Sequence, residues 1–503
     1  MPASPPVARP GHSRWLVPPA ALAIHLSIGQ AYAFSVFNLP LTRVVGVTTS
    51  TAEDWKITQI GWVFTLAIVC LGLSAAFGGR WLERVGPRTS GVVAACAWGA
   101  GFLVSALGVE LHSLALLLIG YGVIGGAGLG LGYITPVSTL IKWFPDRRGM
   151  ATGMAIMGFG GGAMIASPLS ERLLRAFASP TSSGVAPTFV VLGAVYFVAM
   201  MVGALTLRVP PKGYRPAGWT PAPEGAARLR TAAEVHVDTV LRTPQFYLLW
   251  LVLFLNVTAG IGVLGQASPM IQEVFKDHVD AAMAAGFVGL LSLFNMVGRF
   301  FWSSVSDRIG RKATYAAFFV LGPILYWTVP LAGKAGSVPL FVAGFAVALT
   351  LYGGGFATVP AYLADVFGAE FVGAIHGRLL TAWSAAGVAG PVLVNYLRGD
   401  ALAHGVPKTD VYDRTLRIMA GLLVVGLVVN LLVRPVDARH HLSADELSRA
   451  RGDAPSTEPT PASGRAAAAT TSPLVIATAW LVVVAPLTWG VVATATKALA
   501  LFR

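Results

Sequence analysis

The sequence predicts an all-α membrane protein of two six-helix bundles related by a pseudo-twofold repeat, with one further membrane helix near its C-terminal end. The chain is 55% hydrophobic and 12% charged, with a mean hydropathy of +0.68, whereas a soluble domain carries about 25% charged residues. Long apolar runs recur along the chain, and landmarks of the first half return in the second. The lipid core cannot hydrogen-bond a bare backbone, so such runs must be helices.

Twelve apolar runs are near the length that crosses a bilayer. The first is not followed by a small-residue cleavage site, so we interpret it as a retained span and not a signal peptide. A thirteenth run, 474–496, follows a polar stretch. The twelve predicted spans are 16–37, 60–77, 90–109, 114–133, 149–168, 189–207, 246–265, 281–305, 314–331, 340–361, 375–397 and 418–433.

These spans divide the chain into segments. The stretch between the sixth and seventh spans is basic and Pro-rich, which is typical of a linker between halves. The stretch after the twelfth span is rich in Ala, Ser, Thr and Pro, which predicts disorder. The predicted segments are an N-terminal tail 1–14, a first bundle 15–207, a linker 208–245, a second bundle 246–435, a disordered linker 436–472 and a last membrane helix 473–503.

The charge distribution predicts the orientation of the chain. The net charge is +13, but most Lys and Arg residues lie in short loops after even-numbered spans. This is the positive-inside pattern, so we expect the N-terminus and these loops to be cytoplasmic and expect no nucleic-acid partner. The two cysteines, Cys70 and Cys96, lie inside apolar runs and indicate neither a disulfide framework nor a metal site.

An internal repeat relates the two halves. An acidic-Arg-x-Gly-x-basic loop, a Gly-x-x-x-Gly pair and a proline all recur in the second half at one constant offset along the chain. Three landmarks at a single offset predict two six-span halves in parallel orientation, a pattern of secondary transporters. The landmarks are residues 83–88 and 307–312, Gly149 and Gly373, and Pro136 and Pro360.

Arg299 is the main candidate for a functional residue. It is the one charge in the run 281–305, and its distance from the cluster beginning at Asp307 is about 12 Å along a helix. Half a hydrocarbon core is about 15 Å, so this cation lies near the membrane middle, where a charge costs at least ~2.5–3.5 kcal/mol and indicates function. Its repeat counterpart is Ala75. The apolar counterpart favours function over scaffold, although a structural pair within the second half stays an alternative.

The repeated loop resembles the loop motif of the major facilitator superfamily. Within that superfamily, residues 142–149 and 381–391 resemble the oxalate:formate antiporter family, and the similarity covers roughly residues 15–435. The resemblance implies the major facilitator fold, rocking of the two halves about a central site, and charge pairs that gate the cytoplasmic side. The implied gating residues are Glu83, Arg84, Arg88, Asp307, Arg308 and Arg311.

Two departures from the family pattern bear on the substrate. Oxalate carriers of the family have an arginine on the eighth helix, matched by Arg299, and a lysine on the eleventh, where this chain has Trp383. One cation suits one carboxylate, so the resemblance implies the monocarboxylate branch, similar to bacterial lactate/pyruvate carriers. Animal monocarboxylate carriers have an Asp-x-x-x-Arg pair where this chain has Asn295 before Arg299. An amide carries no proton, so the proton-relay role of the family is not expected there.

Other polar and aromatic residues in the spans are weaker candidates, each with an alternative in plain packing. Asn295 either binds substrate and orients Arg299, or joins helices. His25 either relays a proton or is a packed neutral histidine, and His376 and Arg378 are either gate residues or a solvated helix end. We expect Trp383 to close the pocket. The remaining substrate-binding candidates are Tyr352 and Phe356, which match pocket positions of the family, and Tyr32, Tyr121 and Gln266.

These features predict a secondary carrier for a small monocarboxylate such as lactate or pyruvate, coupled to protons, in the cytoplasmic membrane of a bacterium. An anion exchanger of the oxalate:formate type is the first alternative, and a membrane sensor that binds carboxylates without moving them is the second. No nucleophile–base set, metal-ligand spacing or nucleotide motif occurs in the sequence, so we predict no enzymatic activity, no cofactor and no metal.

Overall fold

A computed structural model describes residues 7–9, 11–211, 213–220, 229, 231, 233–276, 278–451 and 471–499. The predicted fold class is confirmed. Twelve helices in these ranges are long and apolar enough to cross a membrane, and one of them, Ile57–Glu110, has 54 residues and is long enough to cross twice. The thirteen predicted spans are therefore all present as helix.

We label the helices in chain order, and treat Ile57–Glu110 as two limbs, α2 before Gly86 and α3 after it. The others are α1 (Arg14–Leu41), α4 (Leu114–Trp143), α5 (Arg148–Phe177), α6 (Val185–Thr206), α7 (Pro244–Val274), α8 (Ala281–Ile309), α9 (Arg311–Lys334), α10 (Val338–Phe367), α11 (Val372–Ala403), α12 (Asp413–Leu432) and α13 (Pro473–Ala498).

The repeated loop makes the same backbone break in both halves. Gly86 has φ 81° between α2 and α3, and Gly310 has φ 86° between α8 and α9. Glycine occupies positive φ at little steric cost because it lacks a Cβ atom. The glycine of the motif thus lets the chain turn sharply between two helices. These two glycines occupy equivalent positions of the repeat, so the sequence relation between the halves extends to the backbone.

Polar side chains fix the first turns of several helices. Ser113 precedes α4 and accepts a hydrogen bond from the backbone N–H of Leu116, and Asp280 precedes α8 and accepts one from Met283 at 2.7 Å. Such caps satisfy N–H groups that have no partner within the helix. α1 departs from the α-helix, since Gly29–Phe37 is a 3₁₀-helix.

The most extensive contacts between the halves are those of α5 with α8 and α10, and of α2 with α11. We call the side of the membrane that carries the repeated loops the motif side. In the described residues, the hydrogen bonds between the halves lie from the membrane middle to the motif side, so the structure is closed there. They join Tyr32 to Tyr352, Ile68 to Ser384, Glu83 to Gly373, Arg148 to Ala364 and Asp365, Gly149 and Met150 to Asp307, Thr152 to Ala357, and Ile156 to Arg299.

α13 packs against α5 of the first half and α8 of the second half. Its close approach uses glycines, since a Cβ atom on Gly161 would come 2.6 Å from Leu487 and one on Gly289 would come 2.8 Å from Thr494. The α13 residue Lys497 also pairs with Glu171 of α5 at 3.3 Å. The last helix therefore lies over the seam between the halves.

The two non-membrane stretches contain short helices. The linker helix Val237–Val240 carries Asp238, which pairs with Arg80 of α2 and Arg378 of α11 at 3.0 Å each. The structure differs from the predicted disorder in 436–451, because Ala444–Arg451 is helical and the N–H of Leu442 donates to the carbonyl of Glu234 at 2.8 Å. Residues 452–470, and parts of the predicted tail, linker and last segment, lie outside the described residues. The segment boundaries stay predictions.

Candidate substrate-binding site

Arg299 is fully buried at the contact between the two halves. Its Nε–H donates to Asn295 Oδ1 at 2.8 Å, one helical turn earlier on α8, and its Nη1–H donates to the carbonyl oxygen of Ile156 on α5 at 3.3 Å. Nη2 is buried and has no hydrogen-bond partner within the described residues. Two edges of the guanidinium are held in place, and the third is left for another acceptor.

The surroundings of Arg299 stabilise its charge only in part. Both hydrogen bonds end on neutral oxygen atoms. The guanidinium carbon lies 5.7 Å from the ring centroid of Phe159 and 5.3 Å from that of Phe356, and aromatic faces attract cations. A buried cation without an anion is costly. The arrangement can therefore accept one anionic group at Nη2.

Aromatic side chains from both halves enclose the site. Trp383 lies at the centre of this aromatic cluster and is fully buried. Its ring centroid is 5.3 Å from Phe159, 5.3 Å from Tyr133, 4.7 Å from Phe356 and 6.3 Å from Tyr32. Rings at these separations pack as an apolar wall. In this closed arrangement they shield Arg299 from water.

A hydroxyl pair links the halves beside Arg299. The hydroxyl groups of Tyr32 on α1 and Tyr352 on α10 lie 3.2 Å apart, and Arg299 interacts electrostatically with both tyrosines and with Tyr133. The hydroxyl of Tyr133 is buried and has no partner in the described part of the chain. Phenolic hydroxyl groups can donate to a carboxylate. The site therefore holds donors beside its one arginine.

The structure brings together six of the eight predicted substrate-binding residues and leaves two elsewhere. Tyr121 lies inside the first half, where its hydroxyl donates to Gln30 Oε1 at 2.8 Å and its ring packs against Trp98 and Phe34. Gln266 donates to Asn395 Oδ1 at 2.7 Å near the opposite end of α7 from the motif side. We do not place these two in the site. The six that meet are Arg299, Asn295, Tyr352, Phe356, Tyr32 and Trp383.

Two residues of the aromatic cluster were missed from the sequence, Phe159 and Tyr133. Phe159 is the repeat counterpart of Trp383, since the same offset separates them as separates Gly149 from Gly373. The rings of Phe159 and Trp383 pack edge-to-face across the interface, so the repeat could have identified Phe159. Tyr133 has Ala357 as its counterpart, and the repeat therefore held no signal for it.

Two carboxylates of the loop motif cap helices of the opposite half. Glu83 accepts from the N–H of Gly373 at 3.1 Å and from Lys142 Nζ at 2.8 Å. Asp307 accepts from the N–H groups of Gly149 and Met150 at 2.8 Å each. A helix N-terminus stabilises a negative charge through its free N–H groups and its dipole. These contacts hold the motif side closed.

The basic residues of the motif differ in their contacts. Arg311 Nη2 donates to Asp307 at 2.6 Å and its Nε donates to Asp365 at 3.1 Å. Arg84, Arg88 and Arg308 make no ion pair within the described residues. Glu83 and Asp307 thus make contacts between the halves, Arg311 supports Asp307 from within its own half, and the other three make no such contact in the described part of the chain.

Comparisons with known proteins agree on a family. The family model described as Major Facilitator Superfamily matches residues 20–391 and 278–502. Among solved structures, the proton:xylose symporter XylE, bound to 6-bromo-6-deoxy-D-glucose, superposes with a TM-score of 0.64 at 14% identity, covering 83% of this chain and 95% of that chain. At this identity the likeness shows the fold alone.

Two relatives that match over more than half of this chain are named for the substrates they carry. The oxalate:formate antiporter of Oxalobacter formigenes is 26% identical over 381 residues, which is 74% of this chain and 81% of the antiporter. Apicoplast pyruvate carrier 1 of Toxoplasma gondii is 27% identical over 374 residues, which is 64% of this chain and 66% of the carrier. The chain is thus similar to proteins named for the carriage of small carboxylates.

Proposed function

The chain belongs to the major facilitator superfamily, and on that premise we propose that it is a secondary carrier for a small monocarboxylate such as lactate or pyruvate, coupled to protons. The observation that carries the proposal is the free Nη2 edge of Arg299, buried among aromatic rings from both halves. A carboxylate on this edge would supply the missing acceptor and the missing negative charge in one group.

The size and charge of the site favour one carboxylate over two. Trp383 stands where the resembling oxalate carriers have a lysine, and it is packed against Phe356 at 4.7 Å and Phe159 at 5.3 Å. A dianion would bring a second negative charge against this apolar wall, and an unpaired buried charge is strongly disfavoured. The methyl or keto carbon end of lactate or pyruvate would instead lie against the rings.

Transport follows from the two halves sharing the substrate site. Arg299 contributes from α8, while Tyr32 and the Ile156 carbonyl contribute from the first half. In this proposal the halves close around the substrate and then part on the motif side, which we place in the cytoplasm of a bacterium, with the N-terminus on the same side. The positive-inside distribution of Lys and Arg supports that orientation.

Uptake of labelled carboxylates by the purified full-length protein in proteoliposomes tests the proposal. We expect lactate or pyruvate uptake that increases when the outside is acidic, and little uptake of oxalate. Oxalate-for-formate exchange without lactate or pyruvate uptake would instead assign the second candidate, which the similarity to the Oxalobacter antiporter supports. Binding of a monocarboxylate with no flux of any of these substrates would identify a sensor.

A further inference from the structure

Two buried histidines lie against the same tyrosine where the halves join, and the proposed site does not use them. His25 on α1 is 0% exposed and His376 on α11 is 1% exposed. Their ring centroids lie 5.2 Å and 5.9 Å from that of Tyr133, which therefore contacts both. The two imidazoles also interact with each other electrostatically. One histidine comes from each half, so the pair exists only while this part of the interface is closed.

The hydrogen bonds of the pair leave basic nitrogen atoms free. His25 Nδ1 lies 3.2 Å from the carbonyl oxygen of Ala21, and a carbonyl can only accept, so Nδ1 carries the hydrogen. The lone pair of Nε2 is then unused, and Nε2 has no partner within the described residues. Neither ring nitrogen of His376 has a partner there. Buried polar atoms in proteins are nearly always paired, so unpaired ring nitrogen atoms on two neighbouring histidines are unusual, and their lone pairs can accept a proton.

Within the described residues, no free carboxylate faces the pair. Tyr133 faces both histidines from α4, and Arg299 of α8 interacts with His25. From α2, Glu83 caps α11 at Gly373 and is paired with Lys142. From α5, Arg148 is engaged by Asp365. A proton on either ring would therefore place an imidazolium near a neutral imidazole and near the positive charge of Arg299. No negative charge among the described residues there would balance it.

We propose that His25 and His376 are the proton-binding pair of the carrier. A proton adds to the free lone pair of one ring nitrogen and forms a new N–H bond. The resulting imidazolium destabilises the closed contact with its partner, and water reaches both rings when the halves part on the motif side. The protonated pair thus favours the motif-side-open state, and the neutral pair favours the state described above.

The pair also links proton and substrate binding. Because Arg299 repels a proton on His25, a carboxylate bound to Arg299 reduces that repulsion and increases proton affinity. Coupling of this kind is reciprocal, so acid must tighten carboxylate binding by the same factor. This inference rests on the proposed proton-coupled carrier. The histidine pair provides a proton-binding site, which Asn295 cannot do because its side chain is an amide.

Substitution by glutamine removes the titration while keeping a polar side chain. The variants are His25→Gln, His376→Gln and the double variant, with His404→Gln as the control because His404 is an exposed histidine beyond the opposite end of α11, with a side chain 74% exposed. We expect the double variant to keep the exchange of labelled for unlabelled substrate in the absence of a pH gradient. Its uptake driven by a pH gradient should fall at least tenfold. Gradient-driven uptake that survives with intact exchange would overturn the proposal. Loss of exchange as well would also count against it.

A measurement without substrate separates this inference from the proposed function. Spin labels at Arg84→Cys and Arg308→Cys, in a Cys70→Ala and Cys96→Ala background, report the distance between the halves on the motif side. We expect this distance to lengthen between pH 8 and pH 5.5 in the otherwise unchanged chain and in His404→Gln, and to stay constant in the double variant. This result supports the pair even if no carboxylate is transported. A pH response that persists in the double variant contradicts it.

Discussion

Asn295 holds Arg299 without neutralising it. Its Oδ1 atom accepts from Nε at 2.8 Å and fixes the guanidinium beside the rings of Phe159 and Phe356. An aspartate here would keep the hydrogen bond but would add a negative charge four residues before the arginine, where side chains of a helix are neighbours. The identity of this residue therefore sets how much positive charge is left for a substrate.

Asn295→Asp is expected to weaken substrate binding at neutral pH and to make uptake depend more steeply on acid. The new carboxylate competes with the substrate for Arg299 until it is protonated. Substrate affinity measured at pH 5.5 and pH 7.5 checks this, with Asn395→Asp near the opposite end of α11 as the control. Unchanged affinity at both pH values would mean that Arg299 does not bind the carboxylate.

Trp383→Lys is expected to shift the preference of the carrier from monocarboxylates toward oxalate. An ammonium group in place of the indole would lie in the aromatic cluster near Arg299, and two cations suit a dianion. Competition by lactate, pyruvate and oxalate against a labelled substrate measures the shift. Trp383→Phe, which keeps an aromatic ring, is the matched control and should keep the original order of substrates. An unchanged order in the lysine variant would argue against one cation selecting one carboxylate.

At the scale of helices, closure of the motif side depends on a carboxylate at each of two helix ends. Glu83→Gln with Asp307→Asn keeps the shape of both caps but removes their charges. A charge at a helix N-terminus contributes ~0.3–1 kcal/mol, and up to ~2 kcal/mol when partly buried. A loss of about 1–2 kcal/mol changes the ratio of closed to open forms by roughly 5–30-fold.

We therefore expect the double variant to open more often on the motif side. Ser138 is buried, and its side chain lies against Gly373 of the other half, so the alkylation rate of Ser138→Cys reports that opening. The rate should increase when both caps lose their charge and should stay constant with Arg84→Gln, which is exposed and makes no ion pair in the described structure. Equal alkylation rates in the double variant and in the chain that keeps both carboxylates would contradict a gating role.

α13 contacts both halves but contributes nothing to the aromatic cluster around Arg299. Only 17% of its most apolar 18-residue stretch is buried within the protein. We expect a chain that ends at residue 435 to keep monocarboxylate uptake and to unfold at a lower temperature, because Leu487 and its neighbours no longer cover α5 and α8. Thermal unfolding followed by size-exclusion chromatography, together with uptake, measures both effects. Complete loss of uptake in a folded truncated protein would assign α13 a part in transport.

At the scale of the whole molecule, the sequence predicted the architecture because its signals are strong and local. Apolar runs are long enough to identify each span, and the constant offset of the repeat relates the two halves within the sequence itself. The same repeat places Gly86 and Gly310 at equivalent backbone breaks. The fold class and the family were confirmed, whereas the segment boundaries and the roles of the site residues stay predictions.

The details of the site could not be derived in the same way. The Ile156 carbonyl binds Arg299 through the backbone, and no side chain in the sequence marks it. Tyr121 and Gln266 are polar residues in spans, as Tyr32 is, but their depth and direction depend on how the helices pack. The shared contact of His25 and His376 with Tyr133 depends on how the halves pack together, which the pattern within each helix does not encode.

Arg299→Lys tests the carboxylate site most directly. The variant keeps the positive charge but loses the planar fork that holds Asn295 and the Ile156 carbonyl while leaving Nη2 for a substrate. A charge-assisted hydrogen bond contributes about 1.5–3 kcal/mol, so uptake of lactate or pyruvate into proteoliposomes should fall by at least roughly tenfold, while Arg175→Lys at the exposed end of α5 transports normally. Near-normal uptake by Arg299→Lys would contradict the assignment of Arg299 as the carboxylate-binding residue.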